Sequence, residues 1–222
     1  MSTGSTRVLL AALAMMTLGG CSPSSLAYLS LEDARIVNRM RFDQKFADED
    51  LAGAIGVAVL DVTTVGIGVG VTAGSGVVLQ RSSSGWSTPL PVTMVTGSIG
   101  AQLGGKNAKV LIIFRTQERF DSFVYGGAKF VAQVEGTAGP ADGNVGGPLT
   151  KSDVEVISKV DGLYGGAVIG GFGVVVNKDL MRKAYGPDAN PETVLSGGVA
   201  TPAGADALWS ALGTLLSGLR AS

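Results

Sequence analysis

Gly66-Ile-Gly-Val-Gly-Val-Thr72 and, shortly after it, Ser75-Gly-Val-Val-Leu79 are the stretches on which the fold turns. In the first, branched apolar residues alternate with glycine. One face of an extended chain there carries Ile and Val, and the other carries almost nothing. A helix would be a poor host, because each interior glycine costs it about 1 kcal/mol relative to alanine. A strand suits the branched residues, and its bare face admits bends and close backbone packing. The period-two pattern runs from Val57 to Gln80.

Working outward, Ser82-Ser-Ser-Gly85 reads as a turn, and Trp86-Ser-Thr-Pro89 opens the next strand region. Val110-Leu-Ile-Ile-Phe114 is expected as a short buried strand, with further strands at Lys129–Val134, Val154–Val160 and Ala167–Val176. Gly136 to Pro148 reads as a Gly/Pro-rich loop. Helices are expected from Leu31 to Phe46, capped by Ser30, and from Thr116 to Phe130. Asp48-Glu49-Asp50 starts a segment of small and apolar residues, Leu51 to Ala58. A short helix is expected at Pro191–Leu195. Ala205–Leu219 follows as an amphipathic helix with Leu208, Leu212, Leu215, Leu216 and Leu219 spaced for burial. The resulting class is α+β: a twisted, largely antiparallel, Gly-rich sheet, barrel-like or half-barrel, flanked by N- and C-terminal helices. No internal repeat and no boundary divides residues 31–222, which read as one domain.

Composition excludes much chemistry. The 222 residues are 45% hydrophobic with 34 glycines, about twice the usual share of roughly 7%. Mean hydropathy is +0.35. There is no His, which removes the commonest general base and metal ligand. One Cys excludes an internal disulfide and a thiolate zinc site. A net charge of −1 supplies no field to gather nucleic acid. Neither metal nor cofactor is expected.

Residues 1–20 read as a secretory signal, with Arg7 ahead of the apolar run Val8–Met16. That run is too short to cross a bilayer, which takes about 20 helical residues. Leu18-Gly19-Gly20-Cys21 resembles a bacterial lipobox, so Cys21 is the expected acylation site and residues 21–30 a short tether. Ser22 follows the Cys, and no Asp stands there to retain the protein at an inner membrane. The expected address is export to a membrane, the outer membrane facing the periplasm in a Gram-negative cell.

Several motifs are weighed as enzymatic signals and set aside. Gly100-Ala-Gln-Leu-Gly-Gly-Lys106-Asn107 has phosphate-loop spacing, but Asn stands where Ser or Thr binds Mg²⁺, and a strand follows it. Gly68-Val-Gly70 lacks the βαβ context of a dinucleotide fingerprint. Carboxylates such as Glu32, Asp33, Asp48 and Asp153 form no evident catalytic pair. The basic residues are the stronger signal. Arg35, Arg39, Arg41 and Lys45 margin the first helix, and Lys106, Lys109, Arg115, Arg119 and Lys129 outnumber Glu118 and Asp121 further on. Such clusters suit anionic lipid headgroups, at about 1 kcal/mol per cation near a charged surface, or simply solvate the protein.

From Gly56 onward the chain resembles the SYLF family. The matching pieces are Gly74-Ser-Gly76-Val-Val, Gly85-Trp86-Ser-Thr-Pro89, Gly97-Ser-Ile-Gly100-Ala-Gln102-Leu-Gly104 and Phe120-Asp-Ser-Phe123. Gly139-Pro140, Gly162-Leu-Tyr-Gly-Gly-Ala167, Lys183-Ala-Tyr185-Gly186 and Val194-Leu195-Ser-Gly197 continue the series in the family's order. The resemblance implies no catalysis. It implies binding of membrane phospholipid, often phosphoinositide, through a basic N-terminal segment corresponding to about residues 31–46, and actin binding in some eukaryotic members. Lys109, Gly170 and a Gly-richer loop 136–148 depart from the family in removing acidic groups, which weakens a carboxylate-dependent actin contact.

The expectation is therefore a non-catalytic, membrane-anchored lipoprotein whose SYLF-like domain binds anionic phospholipid. Its candidate headgroup contacts are Arg35, Arg39, Arg41, Lys45, Lys106, Lys109 and Arg115. The alternative is a structural or adhesive envelope protein that binds a protein partner, actin-like or host, without recognising lipid. Nucleic acid and nucleotide are not expected partners.

Overall fold

The computed structural model describes residues 25–126, 130–133, 137–140, 153–161 and 173–213. The signal segment, Cys21, Lys129, Gly170 and residues 214–219 of the expected last helix lie outside the described residues, as do the side chains of 66–71 and 95–106. In chain order the elements are α1 (Leu26–Phe42), a 3-10 turn (Asp48–Leu51), β1 (Gly56–Ser82), β2 (Gly85–Trp86), β3 (Leu90–Phe114), α2 (Gln117–Tyr125), β4 (Phe130–Gln133) and β5 (Thr137–Pro140). Then follow β6 (Val154–Asp161), β7 (Gly173–Val176), α3 (Lys178–Tyr185), α4 (Pro191–Leu195) and α5 (Ala205–Ala211).

β1 and β3 are 27 and 25 residues long and pair antiparallel from Gly56↔Phe114 to Val78↔Leu90. Ordinary strands run about 5–6 residues, so an apolar hairpin of this length buries itself by folding over. The fold-over has a marked place: Ile67 pairs with Leu103 but Val69 with Ile99, leaving Gly100, Ala101 and Gln102 opposite Gly68 alone. Extra residues on one strand bend it and raise its twist. Beyond that bulge β1 returns across its own first half. Thr64 Oγ1 and Thr72 Oγ1 are 2.9 Å apart, and the Arg81 N–H donates to the Ile55 carbonyl at 2.8 Å.

Two glycines permit the crossing. A Cβ on Gly76 would stand 1.8 Å from the Val59 carbonyl oxygen, and one on Gly74 would stand 2.7 Å from that of Asp61. Both obstacles are backbone and cannot rotate away.

Folding over sorts the side chains of β1 and β3 by parity. Ala58, Leu60, Val78, Val110, Ile112 and Phe114 face an inner core closed by Phe120 and Phe123 of α2. Val57, Val59, Val77, Leu79, Leu111 and Ile113 face a second core under α1 and α5. Strands buried on both faces show uninterrupted apolar runs, which is why residues 110–114 read as they do. They are the end of the 25-residue β3, not a separate short strand.

β6 and β7 add antiparallel to the outer edge of β3 in one common register, Phe114↔Val154 and Val92↔Val176. β4 and β5 form a separate two-stranded sheet. The architecture is the expected α+β one, an antiparallel sheet with helices at both ends, and the sheet stays open: it does not close into a barrel.

The break between β2 and β3 seats the C-terminal helices. The Ser87 carbonyl accepts from Trp209 Nε1 of α5 at 2.9 Å. Thr88 Oγ1 donates to the Val194 carbonyl of α4 at 2.7 Å. The Pro89 carbonyl accepts from the Tyr185 hydroxyl of α3 at 2.7 Å. The Trp-Ser-Thr-Pro motif is thus a polar socket, and Trp86 beside it lies under the Arg81 guanidinium at 4.2 Å.

Element boundaries differ from expectation in physically simple ways. α1 starts at Leu26, capped by Ser25 accepting from the Tyr28 amide, and Ser30 is a buried interior residue. It stops at Phe42 because Gln44 takes φ 54°. α2 ends at Tyr125, short of Phe130. Thr137–Pro140, expected in a loop, is a strand paired with β4. α3 was not anticipated: it buries only Leu180 and Met181, and the Asn177 cap carries its start. Gly100–Asn107 lies within continuous β3, residues 100–102 in the bulge and 103–107 paired with β1, with no turn into a helix.

The crossing gives a paired prediction. Gly76→Ala should cost about 3 kcal/mol, since the strand must lift off Val59. Gly53→Ala, at φ +74° with open space around it, should cost about 1 kcal/mol from backbone strain alone. Urea unfolding followed by tryptophan fluorescence separates the two, and equal losses would refute the steric account.

Candidate interaction surface

α1 presents Leu26, Leu29, Val37 and Met40 to the core, and opposite them a face that is both cationic and apolar. Phe42 is 79% exposed, Tyr28 54% and Leu31 41%. The Arg39 guanidinium lies 5.7 Å from the Phe42 ring centre, within cation–π range. Arg35, one turn past Leu31, pairs with Glu32.

Beside this face is a groove of about 420 Å³ lined by Glu32, Arg35, Ile36, Arg39, Met40, Lys109 and Lys159. The strand register forms its floor. Asp61 of β1 stands opposite Lys109 of β3, which stands opposite Lys159 of β6. Two lysines facing each other across a ladder repel, and each is neutralised from its other side. Lys109 donates to Asp61, whose other oxygen accepts from Asn107 Nδ2 at 2.9 Å. Lys159 donates to Asp43, which also accepts from Arg39 Nε at 3.2 Å. The Lys159 hydrogen bond, ahead of the nearby Arg39 charge, holds the Asp43 carboxyl below the usual carboxylate range.

The seven cations singled out from sequence therefore separate into groups. Arg35, Arg39 and Lys109 share the groove. Arg41 and Lys45 line a second hollow with Phe46 and Asp48, where Arg41 pairs with Asp48 at 2.6 Å and stacks 5.2 Å from the Phe46 ring centre. Arg115 is a clamp: it donates to the carbonyls of Asp50 and Ala52 and to Glu155, tying the 3-10 turn to β6. The Lys106 side chain lies outside the described residues; its backbone pairs with Thr64. Lys159 was missed because only the register brings it beside Lys109. Among the described residues no cluster of His, Cys, Asp or Glu could hold a metal ion, and no helix is long and apolar enough to cross a membrane.

This arrangement offers apolar and cationic contacts, with Glu32 as the one carboxylate among the groove's residues. The family model described as "Las17-binding protein actin regulator", Ysc84, matches residues 95–215. The chain is 28% identical over 180 residues to LAS seventeen-binding protein 3 of Saccharomyces cerevisiae, covering 77% of this chain and 39% of that protein. It is 30% identical over 176 residues to Protein YSC84 of the same yeast, covering 75% and 37%. It is 30% identical over 190 residues to SH3 domain-containing YSC84-like protein 1 of Mus musculus, covering 82% and 55%. The chain thus spans about half or less of the length of these relatives. No solved structure matches it. With its self-crossing glycines and its Trp-Ser-Thr-Pro socket in place, the chain belongs to the Ysc84 family, which is the SYLF family its motifs resemble.

Proposed function

We propose that the chain is a non-catalytic docking module that binds a protein partner, an actin filament or a regulator of one, through the outer face of α1. The observation that carries this reading is the exposed set Tyr28, Leu31 and Phe42 interleaved with Arg35 and Arg39. Exposed aromatics beside arginine are the composition of protein-binding hot spots. The comparisons point the same way: the family model is described as a Las17-binding actin regulator, one relative is named for binding LAS seventeen, and none of those reported is named for a reaction. Co-sedimentation with purified filamentous actin tests it. The full chain should pellet with filaments, and Phe42→Ala with Arg39→Ala should weaken binding about tenfold or more. Absence of co-sedimentation at tens of micromolar, roughly the weak end of specific association, would refute the actin arm.

A second reading, anionic phospholipid, is favoured by the four groove cations Arg35, Arg39, Lys109 and Lys159. Three of these are held by Asp43 and Asp61, and Arg35 by Glu32. A headgroup must displace those carboxylates, so affinity gained here is modest and salt-sensitive. Flotation with phosphatidylserine vesicles should be lost in Lys109→Gln with Lys159→Gln if the groove reads headgroups; unchanged flotation would remove the groove from that role.

Membrane anchoring through Cys21 belongs to the same reading. An acyl chain there, five residues ahead of Leu26, would hold α1 close to a bilayer. Metabolic labelling with palmitate should mark the wild-type chain and not Cys21→Ser. Label retained in the variant would overturn the assignment.

A further inference from the structure

α1 carries an anomaly at the centre of its docked face. Asp33 is fully buried, and its carboxyl meets no well-formed hydrogen bond, the Val77 backbone amide being the one donor near it among the described residues. Ser30, one turn earlier on the same face, is also fully buried with its hydroxyl unpartnered. An ionised carboxylate without a partner in such a site is very costly, so the group either keeps its proton or leaves.

We infer that the first part of α1 is a detachable arm, docked while the Asp33 carboxyl is protonated and released about the helix's C-terminal end when it ionises. Among the described residues, the elements packed on this face bring Asp33 little that could stabilise its anion. Glu32, next to Asp33 on α1, and Asp61 on β1 are both negative and oppose ionisation. Lys109 on β3 favours it, but its ammonium is engaged by Asp61. Lys159 on β6 is engaged by Asp43. α3 and α5 bring Leu180, Leu208, Ala211 and Leu212 to the same core. The Val77 amide gives partial help to the anion. Burial first, and then Asp61, push the Asp33 carboxyl well above the usual range.

Among the described residues, the ties that hold α1 electrostatically to other elements are at one end. Asp43 to Lys159 and Arg41 to Asp48 lie at or just past its C-terminal turn. Ahead of them, Leu26, Leu29, Ile36 and Val37 hold by apolar burial alone. The close seam at Gly204, where a Cβ would stand 2.8 Å from the Ala27 carbonyl, is likewise uncharged. The first part of α1 can therefore separate from the sheet without breaking an ion pair, and its C-terminal end is the pivot.

The direction of the pH effect follows from proton binding. Docked Asp33 holds a proton in a range where the released side chain, with an ordinary pKa near about 3.9, has lost it. Docking therefore weakens as pH rises, by up to about tenfold per pH unit, until the docked group itself ionises. The inference does not depend on which partner the chain binds.

Hydrogen exchange on the full chain from about pH 4 to pH 9, corrected for intrinsic chemical exchange, tests it, the slope being expected from the released side chain's pKa upward until the docked group ionises. Peptides spanning residues 26–37 should lose up to about tenfold protection per pH unit while peptides at the hairpin base, 56–62 and 108–114, hold theirs. Asp33→Asn and Asp33→Leu, both neutral, should abolish the slope and raise protection in α1. A wild-type helix with flat protection overturns the inference. So does a slope that survives in both variants, or a parallel loss in the hairpin that marks global unfolding.

Discussion

The Val59 carbonyl oxygen and the bare Cα of Gly76 occupy space that no side chain could share. That contact lets β1 cross its own path, and the rest of the architecture depends on the crossing. A long apolar hairpin left flat would expose two greasy faces. Bent at the bulge opposite Gly68 and closed at Gly76, it encloses the core around Phe114, Phe120 and Phe123 and turns its other face outward to be covered by α1 and α5. Phe114 meets Phe120 edge to face at 5.6 Å between ring centres, so the enclosed core is also specifically packed.

Covering helices need seats, and polar backbone supplies them. Three successive residues, Ser87, Thr88 and Pro89, each make one hydrogen bond to a different C-terminal helix. Because those residues interrupt the ladder between β2 and β3, their groups are free to be used this way. α1 has no such seat for Asp33. Its docked face is good in its leucines and poor in its polar pair, and its outward face carries the aromatic and cationic residues proposed to meet a partner. The same helix therefore carries both a poorly satisfied polar pair in the outer core and the exposed aromatic and cationic surface.

What the sequence made legible follows from which physical signals are local. Alternation of Gly with Ile and Val is local, and so β1 was readable over nearly its full length. The apolar run 110–114 was readable as buried strand, but its continuity with residues 90–109 was not. The glycines of 97–105 resemble a loop as easily as a strand, and only pairing with β1 decides between them. Ser25 and Ser30 are equally good caps on paper; burial of Leu26 and Leu29 selects the first. α3 escaped because two buried residues among eight make a faint pattern. The groove was half legible. Cations on α1 could be identified from their spacing, but the pairing of Asp61, Lys109 and Lys159 is a property of register, and the carboxylates that occupy those lysines come from elements far apart in the chain.

The shared register of β6 and β7 on β3 has a consequence for how the chain can vary in length. Eleven residues separate Val95 from Asn107, and eleven separate Asp161 from Gly173. The two runs are counted against each other by the flanking ladders, so a residue gained or lost in one would shift every side chain of the flanking strand to the opposite face unless the other changed in step or a new bulge absorbed it. Surface connections usually tolerate insertions freely. Here the tally is held at both ends, and variation in length should be diverted to the stretch between β5 and β6, since among the described residues β5 pairs with β4 in a separate sheet and shares no ladder with β6.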